Sequence, residues 1–553
     1  MATAVELLRQ GLNEELWQMC CGFLRLNLDQ FMAIQNRLLL EQMELLGSCE
    51  LGRKIMQGTR PRTVEEFREL VPLTKYSDYC PDLLEKRQDV LPGKPALWVH
   101  SSGRSGDYPC KWVPLTQAYS QELSQIMYGV GMISSSREWG DTVRLPERPK
   151  IVYTVAPRPY LTGAMADMLG YQTPVDYLPA LQQAESLSFE DRIRLGFKEA
   201  LSQGLDYFFG LSLVLVAVGD RFAESSGKVD LRPLLSQPNA LLRLMKGVVK
   251  SKLSGRTLLP RDLWSVKGII SGGLDSGVYK ERIKELWGKY PLDVYAATEG
   301  GVIATQTWDY DGMTFIPNLN FLEFIPEKEH VKWQLDHSYQ PRTVFLNEVN
   351  AGDKYELVIT NFHGGALVRY RIGDMIKITS LVNEKSGIKT PQMVFERRAD
   401  DLLDFVFVRL TEKTIWQAIE NTGIPYEDWT AYKEPGQPVL NLLIEPRNRQ
   451  QGSEADVARI VYKEIIKSDI DKDTKSLVRD DYATMINFQV KVTLLARGAF
   501  ANYRAQRQTE GADIAHLKPP HINPSEKVLS LLQGQPQAVV PGITGVESDL
   551  VSA

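Results

Sequence analysis

The chain has 553 residues, several times the length of an average domain, so two or more domains and a large buried core are expected. Hydrophobic residues at 43% and charged residues at 24% are ordinary globular values and exclude fibrous and compositionally disordered classes. The net charge of -5 is slight, and no Lys/Arg stripe is interleaved with aromatic residues, which removes nucleic acid as an expected partner. The N-terminal stretch MATAVELLRQGLNEELW lacks a basic start followed by an apolar core. The longest apolar run, around Tyr207 to Val218, falls short of the roughly 20 residues that a bilayer-spanning helix needs. A cytoplasmic protein without a membrane partner is therefore expected. Five cysteines, Cys20, Cys21, Cys49, Cys80 and Cys110, are odd in number and lack C-x-x-C spacing, so reduced thiols are expected. Cys110 sits beside a glycine-containing loop, yet a packed or half-exposed thiol suits it better than a nucleophile.

Between residues 12 and 48, Leu16, Cys20, Phe23, Phe31, Ile34 and Leu38 recur at helical spacing, which predicts an amphipathic helix or helix pair. From about residue 95, short β-type runs (ALWVH, KIVYTVAP, SVKGIISGG, LDVYAATE) alternate with helical stretches. One of these, Ser188 to Gly204, opens on Ser188-x-x-Asp191, which resembles a capping box. That alternation predicts an α/β fold with a largely parallel sheet. After about residue 310 the strands crowd together (MTFIPNLNFLEFIP, KYELVITN, LVRYRIG, MIKITS), predicting an antiparallel or β-barrel-like subdomain continuous with the first part. Beyond FERRADDLLDF follow a helix near residues 411–422, the strand VLNLLIEP, a helix at 453–469 and the strand INFQVKVTLL, a small α+β domain. The charged run RRADD marks the boundary, giving an N-terminal domain of residues 1–398 and a C-terminal domain of residues 399–530. Residues 531–553 have few large apolar side chains and no periodicity and are expected to form a disordered tail. No internal repeat is found.

Four segments carry residue types suited to nucleotide chemistry. In the first, Ser101, Ser102, Gly103, Arg104 and Ser105 follow a strand-like run. Such a loop can turn backbone N–H groups toward phosphate oxygens while the arginine neutralises charge; it can equally be a plain turn. In the second, Tyr295, Thr298 and Glu299 end the strand-like LDVYAATE, where a carboxylate can hold Mg²⁺ and the aromatic can cover an adenine face; the alternative is a solvated strand end. In the third, Asp374 follows Gly373 between two strand-like runs. It can accept both ribose hydroxyls, or it is a hairpin-turn residue. In the fourth, Lys518 lies between histidine and prolines in HLKPPH. A mobile domain could deliver this cation to a carboxylate and an α-phosphate, although a lone lysine is ordinarily a surface residue.

Taken together and in this order, the segments resemble the adenylate-forming superfamily of acyl-CoA synthetases, peptide-synthetase adenylation domains and firefly luciferase. The closer resemblance is to the acyl acid amido synthetases, known from plant enzymes that conjugate auxin and jasmonate to amino acids. It runs from VEEFRELVPLTKYSDY through SSGRSG, SVKGIISGG, VYAATEGG, FLEFIP and KYELVITN with VRYRIGD to RGAFANYR and GAD with HLKPPH, nearly the whole folded chain. The resemblance implies a phosphate loop at Ser101, Ser102, Gly103 and Ser105, and a turn beside the adenine at Gly272 and Gly273. It also implies Tyr295, Thr298 and Glu299 with the glutamate toward Mg²⁺, and a ribose-binding Asp374. Arg398 and Asp400 fall at the superfamily's arginine and hinge acid, and Lys518 at the lysine of its C-terminal domain. Arg104 stands where the family's loop has threonine, with one extra residue before Lys111. HLKPPH replaces glutamine-tyrosine-lysine-x-proline-arginine and adds His516 and His521, which could assist acceptor deprotonation or simply be solvated.

The implied enzyme is a ligase that uses ATP and Mg²⁺ to adenylate a small carboxylic acid and then passes the acyl group to an amine such as an amino acid. An acyl-CoA ligase with a thiol acceptor, or a catalytically silent nucleotide-binding protein of the same fold, are the alternatives. The acid is expected between residues 160–220 and the strand ends near 299–305. Phe208, Phe209, Leu211 and Leu213 are candidate lining residues, although such a run is also typical of core.

Overall fold

The computed structural model describes residues 2–101, 110–225, 237–271, 276–336, 338–399, 402–404, 409–434, 437–447, 453–467, 488–509, 521–524 and 526–534. The expected helix pair is Asn13–Cys21 and Leu28–Ser48. The two are separated at Asn27, whose side chain accepts from the Gln30 amide while Gln30 accepts from the Asn27 amide, a reciprocal cap that starts the second helix. Ser188 caps the helix Phe189–Gln203 by accepting from the Asp191 amide, but the reciprocal half of the expected capping box is replaced by the Ser188 hydroxyl donating to the Asp191 carboxylate. The apolar run from Tyr207 divides into the short strand Tyr207–Gly210 and the helix Ser212–Ser225. Among the described residues no helix is long and apolar enough to cross a membrane.

The strands, in chain order, are β1 (Pro95–His100), β2 (Trp112–Thr116), β3 (Lys150–Tyr153), β4 (Asp176–Leu178), β5 (Tyr207–Gly210), β6 (Gly268–Ser271), β7 (Leu292–Ala297), β8 (Gly301–Thr305) and β9 (Met313–Phe315). They continue with β10 (Asn320–Pro326), β11 (Lys354–Asn361), β12 (Tyr370–Ser380), β13 (Gln392–Arg398), β14 (Leu402–Asp404), β15 (Arg409–Thr411), β16 (Tyr426–Lys433), β17 (Val439–Pro446) and β18 (Gln489–Leu494). One 11-stranded sheet dominates, in the order β10-β11-β12-β13-β9-β8-β7-β6-β5-β3-β4. Strands β3 to β7 pair in parallel through helical crossovers, and their buried runs, such as Gly268–Ser271, are covered on both faces as parallel sheets require. The strands expected to follow residue 310 pair antiparallel and run on edge to edge from the parallel ones. Strand β7 belongs to both halves: parallel to β6 on one side, antiparallel to β8 on the other. Ligand crevices in such sheets open beyond the carboxyl ends of strands where the connectivity changes direction.

Two sequence expectations are corrected here. Gly373 and Asp374 do not form a turn between two strands. They lie inside the continuous 11-residue strand β12, where Gly373 has φ of 80° and the register against β11 slips. A glycine at positive φ lets the extra residues bulge without breaking the strand. The stretch beginning at residue 531 also starts inside a helix, Glu526–Gln533, which buries Leu532 against Phe500 and Tyr503. The rest of that stretch lies outside the described residues.

Toward the C-terminus, β16, β17 and β18 form a three-stranded sheet. The helices Glu412–Glu420 and Glu454–Lys467 pack Ile415, Ile419, Val461 and Ile465 against Leu440, Leu442 and Trp429. Leu443 and Leu495 instead meet the helix Ala499–Thr509 and the helix Glu526–Gln533. Strand β16 is missing from the sequence reading, because Glu427, Asp428 and Lys433 mask the inward alternation of Trp429 and Ala431.

Candidate active site

The site is built around the end of β7. Tyr295 is nearly buried, and its hydroxyl donates to Asp374 at 2.6 Å, so the bulge in β12 brings a carboxylate to β7, although β13, β9 and β8 lie between the two strands in the sheet order. After Ala297 the chain turns through Thr298, Glu299 and Gly300 into β8, with the Gly300 amide donating to the Ala297 carbonyl at 3.1 Å. Gly301 sits at φ of 64°, and a Cβ there would meet the Tyr119 hydroxyl at 2.9 Å, so both conformation and space demand glycine.

Two asparagines hold this turn from the antiparallel half. The Asn361 amide donates to the Glu299 carbonyl and to Asn320 Oδ1, each at 2.8 Å, and Asn320 donates to the Gly300 carbonyl at 2.7 Å. Both are buried with their polar atoms bonded, which fixes the turn before any ligand arrives. Sequence reasoning missed them. The only signal was asparagine at one strand's start (NFLEFIP) and another's end (KYELVITN), where a local turn role is the ordinary interpretation.

A cavity of about 750 Å³ opens at this strand end. Ser101, Ser271, Tyr295, Thr298 and Asp374 all line it, so the structure brings together residues from each of the first three candidate segments. Ser101 closes β1, with its amide donating to the Lys111 carbonyl at 3.1 Å. The hairpin β1–β2 is tied to the cavity wall by the His100 amide donating to the Pro159 carbonyl and by the His100 ring 4.5 Å from that of Tyr160. Ser271 ends β6 and is joined to Ser212 by a buried hydroxyl–hydroxyl bond of 2.6 Å.

Glu299, next to Thr298, is half-buried and lies off the cavity wall, close to Tyr76. Burial pushes the Tyr76 hydroxyl up, and the Glu299 charge adds to the shift. Lys111 brings a cation to the same corner: its ammonium donates to the Tyr370 hydroxyl at 3.5 Å and lies 5.9 Å from the Tyr76 ring centre. Arg398 pairs in register with Asp374 across β13 and β12; its side chain lies outside the described residues. So do Ser102, Gly103, Arg104, Ser105, Gly272, Gly273, Asp400, His516 and Lys518.

The remaining wall is largely apolar. It comes from the helix Leu161–Leu169 through Leu161 and Met165, from Tyr177, and from the β5 corner through Phe209 and Leu211. Of the four residues proposed from sequence, Phe209 and Leu211 face the cavity. Phe208 points instead into the core with Leu215 and Trp287, as strand alternation requires, and the Leu213 side chain lies outside the described residues.

Other sequence candidates are settled locally. Cys110 is half-buried and unbridged, and burial pushes its thiol up, which suits packing rather than nucleophilic attack. His521 is not a solvated base. Its ring lies between Glu412 at 2.5 Å and Asp428 at 2.8 Å and stacks on Trp429 with centres 4.5 Å apart. Burial alone would lower its pKa, but hydrogen bonds to Asp428 and Glu412 outweigh that and raise it to about 9.

The GH3 family N-terminal domain matches residues 22–149, and the GH3 family central domain matches residues 313–398. A jasmonoyl-L-amino acid synthetase of Nicotiana attenuata is 32% identical over 161 residues, 28% of this chain and 26% of the relative. A 4-substituted benzoates-glutamate ligase of Arabidopsis thaliana is 26% identical over 239 residues, 40% of this chain and 38% of the relative. These two matches thus span 26% and 38% of the relatives' lengths. A probable indole-3-acetic acid-amido synthetase of Oryza sativa subsp. japonica is 23% identical over 91% of this chain and 89% of its own. Among solved structures, an acyl acid amido synthetase in complex with 2,4-DB shares the fold at a TM-score of 0.61, with 16% identity over 95% of each chain. A 2-hydroxyisobutyryl-CoA ligase in the postadenylation state does so at 0.56, with 16% identity over 91% of each. Two domains described for the GH3 family, the N-terminal and the central one, are thus matched in order along this one chain.

Proposed function

We propose that the protein is an ATP- and Mg²⁺-dependent adenylate-forming ligase that joins a small carboxylic acid to an amine, with an amino acid as the favoured acceptor. The observation that carries this reading is the convergence of Ser101, Tyr295, Thr298 and Asp374 on one cavity whose remaining wall is apolar. Its volume is ample for a nucleotide and a small acid end to end. The names of the relatives supply the direction of the second step, since all three conjugate acids to amino acids or are amido synthetases.

The donor set fits the nucleotide. Asp374 offers carboxylate oxygens on the cavity wall, suited to a ribose diol, and Tyr295 holds that carboxylate in place. Tyr295 and Phe395 line the same wall with ring centres 6.1 Å apart and offer apolar faces to a base. Among the described residues no group of three His, Cys, Asp or Glu could hold a metal ion. That suits Mg²⁺, which takes one or two protein oxygens and completes its shell with phosphates and water. Glu299 would hold it with Thr298 nearby, and the ion would neutralise charge on the leaving pyrophosphate.

In the first step a carboxylate oxygen attacks the α-phosphorus. The bond to the bridging oxygen breaks and pyrophosphate departs, with the Ser101–Ser105 loop, Arg104 and Lys518 spreading the charge. In the second the amine nitrogen attacks the acyl carbon, the acyl–phosphate bond breaks, AMP leaves with the electron pair, and the amine proton passes to solvent. Gly272 and Gly273 would border the adenine, and Arg398 the phosphates. The module after residue 398, with its own sheet and apolar clusters, would pivot near Asp400 between the steps. Free thiols support a cytoplasmic setting.

The test is carboxylate-dependent exchange of labelled pyrophosphate into ATP over a panel of aryl and alkyl acids, followed by amino acids and CoA as acceptors. Exchange with amide formation is expected. Thioester formation alone would make the second step that of an acyl-CoA ligase, and no exchange with any acid would leave a nucleotide-binding protein without turnover.

A further inference from the structure

The cavity is lined by two carboxylates, Asp293 and Asp374, and, among the described residues, by a single cation, Lys413. An organic acid entering it as a carboxylate leaves water for apolar walls and two like charges, which is strongly unfavourable without a counter-charge. Lys413 lies at the start of the helix Glu412–Glu420, on the small C-terminal module rather than on the large sheet. Its ammonium is exposed and makes no hydrogen bond or ion pair with any described residue. No acid of its own helix stands three or four residues on, where Trp416 and Gln417 lie. The neighbouring Glu412 carboxylate is already engaged by His521.

The backbone beneath Lys413 is firmly held. Thr411 caps the helix by accepting from the Thr414 amide at 3.1 Å, and Glu412 is tied through the His521 ring to Asp428 in β16. A fixed backbone carrying an uncommitted cation at the edge of an apolar cavity is the arrangement expected of an anion-binding residue. We propose that Lys413 binds the carboxylate of the acyl substrate before adenylation, as a ground-state partner distinct from Lys518. This rests on the reading of the cavity as an acid site, and concerns which residue of this chain recognises the acid.

The test compares wild type, Lys413→Ala and Lys413→Arg as full chains. Benzoate, phenylacetate, indole-3-acetate and octanoate are titrated by calorimetry without ATP, and the primary amide of the tightest binder serves as neutral probe. Lys413→Ala is expected to weaken the acid roughly tenfold, the size of a charge-assisted hydrogen bond discounted for exposure, while Lys413→Arg restores it. The amide should bind all three proteins alike. In pyrophosphate exchange the KM for the acid should rise by a similar factor, with kcat and the KM for ATP nearly unchanged. Equal acid affinity in wild type and Lys413→Ala, equal loss for acid and amide, or no binding of any of the four acids to wild type overturns the assignment. Loss of acid affinity in a protein that shows no exchange would uphold Lys413 and sink the adenylation reading instead.

Discussion

Tyr295 donates its hydroxyl to Asp374 over 2.6 Å, joining strands β7 and β12 across a sequence separation of 79. The bond orients a carboxylate on the cavity wall, which the proposed function assigns to the ribose. Tyr295→Phe keeps the ring and removes the donor, and is expected to cost about 1 kcal/mol of stability and to weaken ATP binding several-fold. Asp374→Ala should weaken it more, by roughly tenfold or beyond. Calorimetric titration with ATP or a non-hydrolysable analogue measures both. ATP binding unchanged in Asp374→Ala would remove this residue from the nucleotide site.

Asn361→Ala deletes the donor to the Glu299 carbonyl and to Asn320, and the acceptor for the Leu367 amide. Several buried polar groups then lose partners, so a destabilisation of roughly 2–3 kcal/mol is expected in denaturant unfolding. Gly301→Ala should also destabilise, by about 1–2 kcal/mol, because an L-residue at φ of 64° is strained. Wild-type stability in either variant would show that the turn is held by something else.

Glu299→Ala and Lys518→Ala should each lose roughly 3 kcal/mol of transition-state stabilisation, read from kcat/KM in a pyrophosphate-release assay. Full activity in both would contradict the proposed roles.

The His521 imidazolium, between Glu412 and Asp428, has its pKa raised to about 9 from an ordinary 6.5. A raised pKa means the folded state binds the proton more tightly than the unfolded chain does. The stabilisation is therefore complete below about pH 6.5 and lost as pH climbs through about 9. Unfolding between pH 6 and 10 should show this decline, on the order of 1–3 kcal/mol, and His521→Asn should flatten it. A wild-type profile without slope in that window would argue against the charged clamp.

Local signals made much of this fold readable. The cap at Ser188, the alternation of β-type runs with helices, and the change of pattern near residue 310 each reflect near-neighbour physics and reappear in the structure. What escaped depends on contacts distant in sequence. Asn320 and Asn361 gain their meaning only when strands β10 and β11 lie beside the β7 turn. The bulge at Gly373 looks like a turn until strand partners on both sides keep the chain extended. The convergence of Ser101, Tyr295 and Asp374 was legible only through the family resemblance, because spacing alone left each an ordinary loop or strand end. His521 was misjudged because the carboxylates that clamp it come from residues 412 and 428.

Strand β7 stands between two unlike neighbourhoods. Leu161, Met165 and Phe209 shape the cavity from the helix-covered side, while Asp374, Asn320 and Asn361 act from the hairpin side. The apolar contacts of the first flank and the hydrogen bonds of the second are made by different residues. On the proposed function, such a division would leave the choice of acid to the apolar wall and the hold on the nucleotide to the polar one.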